Sequence, residues 1–276
     1  MKGEIRKLKS EPLTINDSFV KDGLEAISTL TGKEPYYLVG GVATQSYLPT
    51  SCRRPTSDID ISIVKPLVYE DFKILSKPVF EYLSDNGYHV QLSKHQRAFN
   101  LEVENKEGYT LLIEFSRRNT QNFEHSKSKL ERELRNSKRK IIEKRNSTYI
   151  TASSEDIIVP KLARSIKGLV RNPSLGSCLP SKDITLSEEY IRMRLNLIKE
   201  LREKSMLNNQ NLYLFDRLKF VSDLFDVRIL SEVVGINLDY FNEATIDWSD
   251  AFFNHPLEKD LLYHLLPHVE VSHSLI

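Results

Sequence analysis

Apolar positions along the chain follow two rhythms, and the change from one to the other divides it. From Asn16 to Leu30, Phe19, Leu24, Ile27 and Leu30 fall at helical spacing behind a capping asparagine, which predicts an amphipathic helix. Tyr36 to Val39 is a short apolar strand running into Gly40-Gly41, and Val42 to Tyr47 begins a helix that Pro49 stops. Asp58 to Val64 alternates acid or serine with isoleucine, so it reads as a strand whose isoleucines face a core. Tyr69 to Asn86 is helical and ends at Gly87. His89–Leu92, Phe99–Val103 and Thr110–Phe115 read as strands, the last two joined by the turn Asn105-Lys106-Glu107-Gly108. Lys140–Glu143 and Thr148–Thr151 form a further strand pair.

From Ser154 onward only the helical rhythm remains. It predicts helices over Glu155–Leu169, Leu186–Lys204, Leu212–Phe225, Val227–Val234, Tyr240–Phe253 and Glu258–Leu266. Strands first and helices afterwards predict an α+β protein. Residues 1–150 form a mixed sheet flanked by helices, and residues 151–276 form a helical bundle domain.

Composition narrows the setting. A chain of 276 residues is long enough for a sizeable core or two cores. No apolar run approaches the roughly 20 residues of a membrane span, and MKGEIRKLKSEP lacks an apolar signal core, so a cytoplasmic protein without a membrane partner is expected. Cys52 and Cys178 are too few for a disulfide framework and are expected as free thiols in a reducing compartment. The net charge of +1 conceals a basic run, in which Lys127, Lys129, Arg132, Arg135, Lys138, Arg139, Lys140, Lys144 and Arg145 face only Glu131, Glu133 and Glu143. Such a run suits a polyphosphate or nucleic-acid face, and equally a solvated helix and hairpin.

The candidate chemistry lies earlier. Asp58 and Asp60, at i and i+2, project from one face of their strand. Carboxylates held that close repel unless a hard divalent cation such as Mg²⁺ lies between them. Glu114 is a lone acid inside an apolar strand and offers a third ligand, with a surface-facing glutamate as its ordinary alternative. Gly40-Gly41, between a strand and a helix, offers backbone N–H groups to phosphate oxygens. Ser57 sits beside the metal strand, where its hydroxyl would bond a phosphate and where its phosphorylation would compete with a nucleotide. A phosphate cradle followed by a paired-carboxylate site is the equipment of nucleotidyl transfer. No P-loop, dinucleotide fingerprint or zinc cysteine pair is present.

Gly40-Gly41-x-Ala43, then Arg54-x-Thr56-x-Asp58-x-Asp60, then a lone acid in a later strand, resembles the DNA polymerase β type nucleotidyltransferase superfamily. Within it the match is to the AbiEii/AbiGii toxin family, which includes the MenT-like toxins. Pro160-Lys161-Leu162-Ala163-Arg164 and Ser181-Lys182-Asp183-Ile184 are similar to that family's later helices. The chain departs from the pattern in reading Ile184-Thr185-Leu186 where a second aspartate is common. The resembling segments run from about Tyr36 to Leu186.

The resemblance implies a polymerase-β-type fold and an enzyme that uses an NTP, releases pyrophosphate and depends on Mg²⁺, with Mn²⁺ as a substitute. It implies metal ligands at Asp58, Asp60 and Glu114 and a helical domain closing the cleft with Lys161 and Asp183. Triphosphate contacts are expected at Gly40, Gly41, Ser57, Lys161, Arg171 and Lys182. It further implies a toxin of a toxin–antitoxin or phage-defence pair, with a cognate antitoxin protein and the tRNA 3′ end as acceptor. From the residues alone, Lys161 reads by default as a lysine snorkelling to solvent, and Asp183 as a helix cap or first-turn acid. A protein hydroxyl or a small molecule would serve as acceptor for the same chemistry. A non-catalytic binding module built on the same fold is the alternative of another class.

Overall fold

The computed structural model describes residues 14–56, 58–179, 188–203 and 209–252, together with 261, 265 and 266. The chain divides into two compact units, Met1–Ser153 and Ser154–Ile276.

The first unit is a mixed α/β layer structure. Helix α1 (Ser18–Ser28) leads to β1 (Tyr36–Val39), the short α2 (Gly40–Gln45) and β2 (Asp58–Ile63). Helix α3 (Tyr69–Asp85) precedes β3 (His89–Lys94), β4 (Ala98–Glu104) and β5 (Thr110–Ser116); α4 (Thr120–Asn136) precedes β6 (Lys138–Ile141) and β7 (Thr148–Thr151). The strands form one seven-stranded sheet in the order β3-β4-β5-β2-β1-β7-β6. β2 runs parallel to β5 and β1 parallel to β7, while β1 and β2 are antiparallel.

The alternation in β2 sorts the two faces of this sheet. Ile59, Ile61 and Ile63 are buried on one side with Leu111, Ile113 and Phe115 of β5. Helices α1 and α3 cover that side: Gly23 of α1 meets Leu111, Ile59 and Ile113, and Phe72 of α3 lies 5.2 Å from the Phe99 ring and 5.3 Å from Phe115. Asp58 and Asp60 consequently emerge on the opposite face.

Two boundaries differ from the sequence expectation for a reason. The helix after β1 starts at Gly40 itself, because Val39 is extended (φ −128°, ψ −174°) and caps it directly. The strand before the β6–β7 turn begins at Lys138 and ends at Ile141; Ile142 and Arg145 already belong to the turn, where the Arg145 N–H bonds the Ile142 carbonyl.

The described part of the second unit is helical: α5 (Ser154–Arg171), α6 (Glu188–Glu203), α7 (Asn209–Val233), α8 (Leu238–Ile246) and α9 (Ser249–Phe252), with a 3₁₀ segment at Pro173–Cys178. The two helices expected over Leu212–Phe225 and Val227–Val234 are one, since neither glycine nor proline separates them and Asp226 is a buried ion-pair partner rather than a break. The single helix expected over Tyr240–Phe253 is instead two, interrupted at Asp247-Trp248. The helix expected over Glu258–Leu266 lies almost wholly outside the described residues. α8 is held to α5 by Asn237, whose N–H donates to Glu155 (2.8 Å), and by Tyr240, whose hydroxyl donates to Asp156 (2.7 Å).

Candidate metal centre

Strand pairing builds the site. In the parallel β2–β5 ladder Asp60 lies directly opposite Glu114, and Asp58 opposite Leu112. Residues so paired share a face, so both aspartates and the glutamate converge. One carboxylate oxygen from each of Asp58, Asp60 and Glu114 lies within 4.8 Å of the other two, and all three side chains are half-buried.

Neighbouring residues fix the two aspartates. The Thr56 hydroxyl donates to Asp58 Oδ1 at 2.6 Å, from a side chain only 7 % exposed. Asp60 reaches over the glycine pair. Gly40 has φ +74°, and a Cβ there would stand 2.0 Å from Asp60 Oδ2. At Gly41 a Cβ would stand 2.7 Å from Thr56 Oγ1. The glycines thus make room for Asp60 and for the threonine that orients Asp58, a role in addition to the phosphate cradle expected from sequence. Thr56 itself was not among the expected site residues. It stands in the Arg54-x-Thr56-x-Asp58-x-Asp60 pattern, but its bond to Asp58 is visible only in the structure.

The donor set fits a hard cation. All three ligands are carboxylate oxygens, the preference of Mg²⁺ and Mn²⁺ over zinc or copper. An octahedral ion with bonds of about 2.0–2.1 Å holds ligand oxygens roughly 3–4 Å apart, so the observed spread closes around one with small side-chain adjustments.

The second-unit expectations separate. Lys161 is 4 % exposed, and its ammonium donates to Asp226 at 2.7 Å and to Asp223 at 3.2 Å, both on α7. Arg164 grips Asp223 with two hydrogen bonds of 3.0 Å. Burial alone would raise the Asp223 carboxyl, but the charges of Lys161 and Arg164 outweigh it and hold it below the ordinary aspartate value. Lys161 therefore neither snorkels to solvent nor offers an uncommitted charge to a phosphate; it is the buried cation of an ion-pair network. Arg171, in the last turn of α5, is exposed and donates to the Lys167 carbonyl at 3.2 Å. Ser57, Lys182 and Asp183 lie outside the described residues.

The basic run is thinner on the surface than in the sequence. Arg132 is buried, Lys129 pairs with Glu133, Arg145 binds Asp22 and Glu25, and Lys140 stacks 3.8 Å from the Tyr47 ring. Lys127, Arg135, Lys138, Arg139 and Lys144 are exposed.

Fold and site together define a mixed α/β protein with a half-buried three-carboxylate centre, suited to a divalent cation, on one face of its sheet. No protein-family model matches the chain, and no curated protein matches its sequence. Among solved structures, it is similar to an antigenic nucleotidyltransferase-like protein from Paracoccidioides brasiliensis (14 % identity over 88 % of this chain and 100 % of that one, TM-score 0.39). It is also similar to MenT4, a nucleotidyltransferase toxin from Mycobacterium tuberculosis H37Rv (13 % identity over 90 % of each chain, TM-score 0.37). A third is terminal uridylyl transferase 4 from Trypanosoma brucei with bound dUTP (9 % identity, 82 % of this chain and 71 % of that one, TM-score 0.27). No described helix is long and apolar enough to cross a membrane.

Proposed function

We propose that this protein is a Mg²⁺-dependent nucleotidyltransferase that moves NMP from an NTP to an acceptor hydroxyl. The observation that carries the reading is the convergence of Asp58, Asp60 and Glu114 on one sheet face, beside a glycine pair. A divalent cation on these carboxylates supplies charge neutralisation for the triphosphate and activation of the acceptor oxygen. Thr56 holds Asp58 and the Gly40 backbone accommodates Asp60, so the two aspartates are oriented before the nucleotide arrives. Glu114 accepts a hydrogen bond from the acceptor hydroxyl and polarises it, and backbone N–H groups of Gly40 and Gly41 hold the triphosphate. The acceptor oxygen forms a bond to the α-phosphorus as the bond from that phosphorus to the α–β bridging oxygen breaks; pyrophosphate leaves, and the hydroxyl proton passes through Glu114 to solvent.

The sequence resemblance supports the finer reading: a toxin of a toxin–antitoxin or phage-defence pair, acting on the tRNA 3′ end. Ser57, Arg171, Lys182 and Asp183 enter it as contacts to triphosphate or acceptor. Lys161 enters as the cation that fixes α5 on α7. The five exposed cations of the Lys127–Lys144 segment suit a phosphodiester acceptor. The test offers each labelled NTP with tRNA, protein and small-molecule fractions, with Asp58→Asn/Asp60→Asn as control. Label entering tRNA supports the proposal; label entering another fraction corrects the acceptor. Label entering none with any NTP, in the presence of Mg²⁺ or Mn²⁺, overturns it.

A further inference from the structure

Beside the three carboxylates stands a fourth polar side chain. Asn100 of β4 is paired directly with Glu114 of β5, which is paired directly with Asp60 of β2. The three residues form one row across three strands on one face, where directly opposed side chains are in reach of each other. Asn100 is 0 % exposed, and neither its Oδ1 nor its Nδ2 has a hydrogen-bond partner among the described residues. Buried amides are almost always hydrogen-bonded, because an unpaired donor or acceptor forfeits its hydration without return. Its neighbours along β4, Phe99 and Leu101, face the apolar core, so the strand tolerates hydrocarbon where hydrocarbon is wanted. An unpaired carboxamide in the same row and on the same face as the acids therefore points to a bond made only when the site is loaded.

We propose that Asn100 is a positioning residue of the metal centre, its carboxamide holding the Glu114 carboxylate in its cation-binding orientation. This rests on the reading of Asp58, Asp60 and Glu114 as metal ligands. A carboxylate has about four acceptor positions on two oxygens, so it can bind a cation and accept an amide N–H together. The amide Oδ1 is left to accept from a water or hydroxyl in the same site. Asparagine suits the place better than aspartate, since it supplies the hydrogen bond without adding a fourth negative charge. Groups that orient metal-binding side chains in this way are typically worth about 10–100-fold in metal affinity.

The test is Mn²⁺ binding to the full chain, read by the electron paramagnetic resonance signal of free Mn²⁺, with melting measured in metal-free buffer. Asn100→Leu keeps the branching of the side chain, at a larger volume, and removes both unpaired polar atoms. The expected result is a variant that still melts cooperatively in metal-free buffer, with Mn²⁺ affinity weakened about tenfold or more. Asn100→Ala is expected to weaken binding in the same direction and carries the test if the leucine is not accommodated. Folded variants that bind Mn²⁺ within about twofold of the unaltered protein overturn the proposal and leave Asn100 a packing residue. Failure of the unaltered protein to bind Mn²⁺, equally in an Asp60→Asn control, overturns instead the metal reading on which it rests.

Discussion

Two groups of acids in this chain are built on opposite principles. In the first unit Asp58, Asp60 and Glu114 bring three carboxylates within 4.8 Å on a half-buried sheet face, with a threonine hydroxyl on Asp58 and a pair of glycines leaving room for Asp60 and that threonine. In the second, Asp223 and Asp226 are buried on α7 and threaded by the ammonium of Lys161, with the Arg164 guanidinium gripping Asp223 from a more exposed position. Like charges gathered together raise the energy of the folded chain, and a mobile cation relieves it. Buried acids threaded by protein cations are already compensated, and removing either partner strands a charge without water. The first arrangement is suited to a cation; the second holds helices together. The same residue type thus serves function in one place and folding in the other, and substitutions should separate the two.

The sharpest break is between activity and stability. Asp58→Asn/Asp60→Asn should abolish nucleotidyl transfer, by a factor on the order of 10⁴ or about 5 kcal/mol of transition-state stabilisation. The melting temperature should stay level or rise, since mutual repulsion is relieved. Lys161→Met should do the reverse to the fold. Breaking a buried pair costs about 3–5 kcal/mol, read as a fall in the urea midpoint of the second unit. Trp248, the sole tryptophan, reports on that unit through its place between α8 and α9. A Lys161→Met protein as stable as the parent would remove the distinction between the two clusters.

How much of this was legible beforehand follows the range of the interactions. The period-two alternation in Asp58–Val64 is local, and it gave both the strand and the direction of its acids. Glu114 was found as a polar exception in an apolar strand, a signal of the same kind. The second unit was harder because its decisive contacts join residues about sixty positions apart. Asp226 looked like a gap between two helices because its partner, Lys161, is on another helix. The Lys127–Arg145 run misled in the same way: four of its nine cations are taken up by burial, by acids on α1 and α4 or by an aromatic ring, none of which a charge count reveals. Asn100 gave no signal at all, since a single asparagine in a strand acquires meaning only from the register that sets it beside Glu114.

The glycines sharpen the comparison at smaller scale. Gly40 and Gly235 share a left-handed backbone, with φ of +74° and +80°. Alanine in that conformation costs about 1–2 kcal/mol at either place. At Gly235 nothing lies within 4 Å of the added methyl, whereas at Gly40 it collides with the Asp60 carboxylate. Gly235→Ala should therefore lose stability alone, and Gly40→Ala should lose stability and Mn²⁺ affinity together. Titrating Mn²⁺ against both variants checks this, and equal affinities would mean that Asp60 has somewhere else to go.

The smallest effect expected is on acid stability, and its sign follows from the second cluster. Burial pushes the Asp223 carboxyl up, and the Lys161 and Arg164 charges pull it down further than that, leaving it below its ordinary value. A carboxyl depressed in the folded state stabilises the fold above its unfolded pKa, and the contribution is lost as pH falls through the folded value. The loss is thus confined to the range below about pH 4, and stability should be insensitive to this group from there to neutrality. Arg164→Met removes one of the two cations while leaving Lys161 in place, so the carboxyl rises and the acid midpoint moves to higher pH. Because the Arg164 side chain is 43 % exposed, water already screens part of its charge, and the displacement should be modest. Trp248 fluorescence against pH reads it. A midpoint unmoved by Arg164→Met would show that Lys161 alone compensates the pair, and that the guanidinium on the open side of α5 is there for something other than the fold.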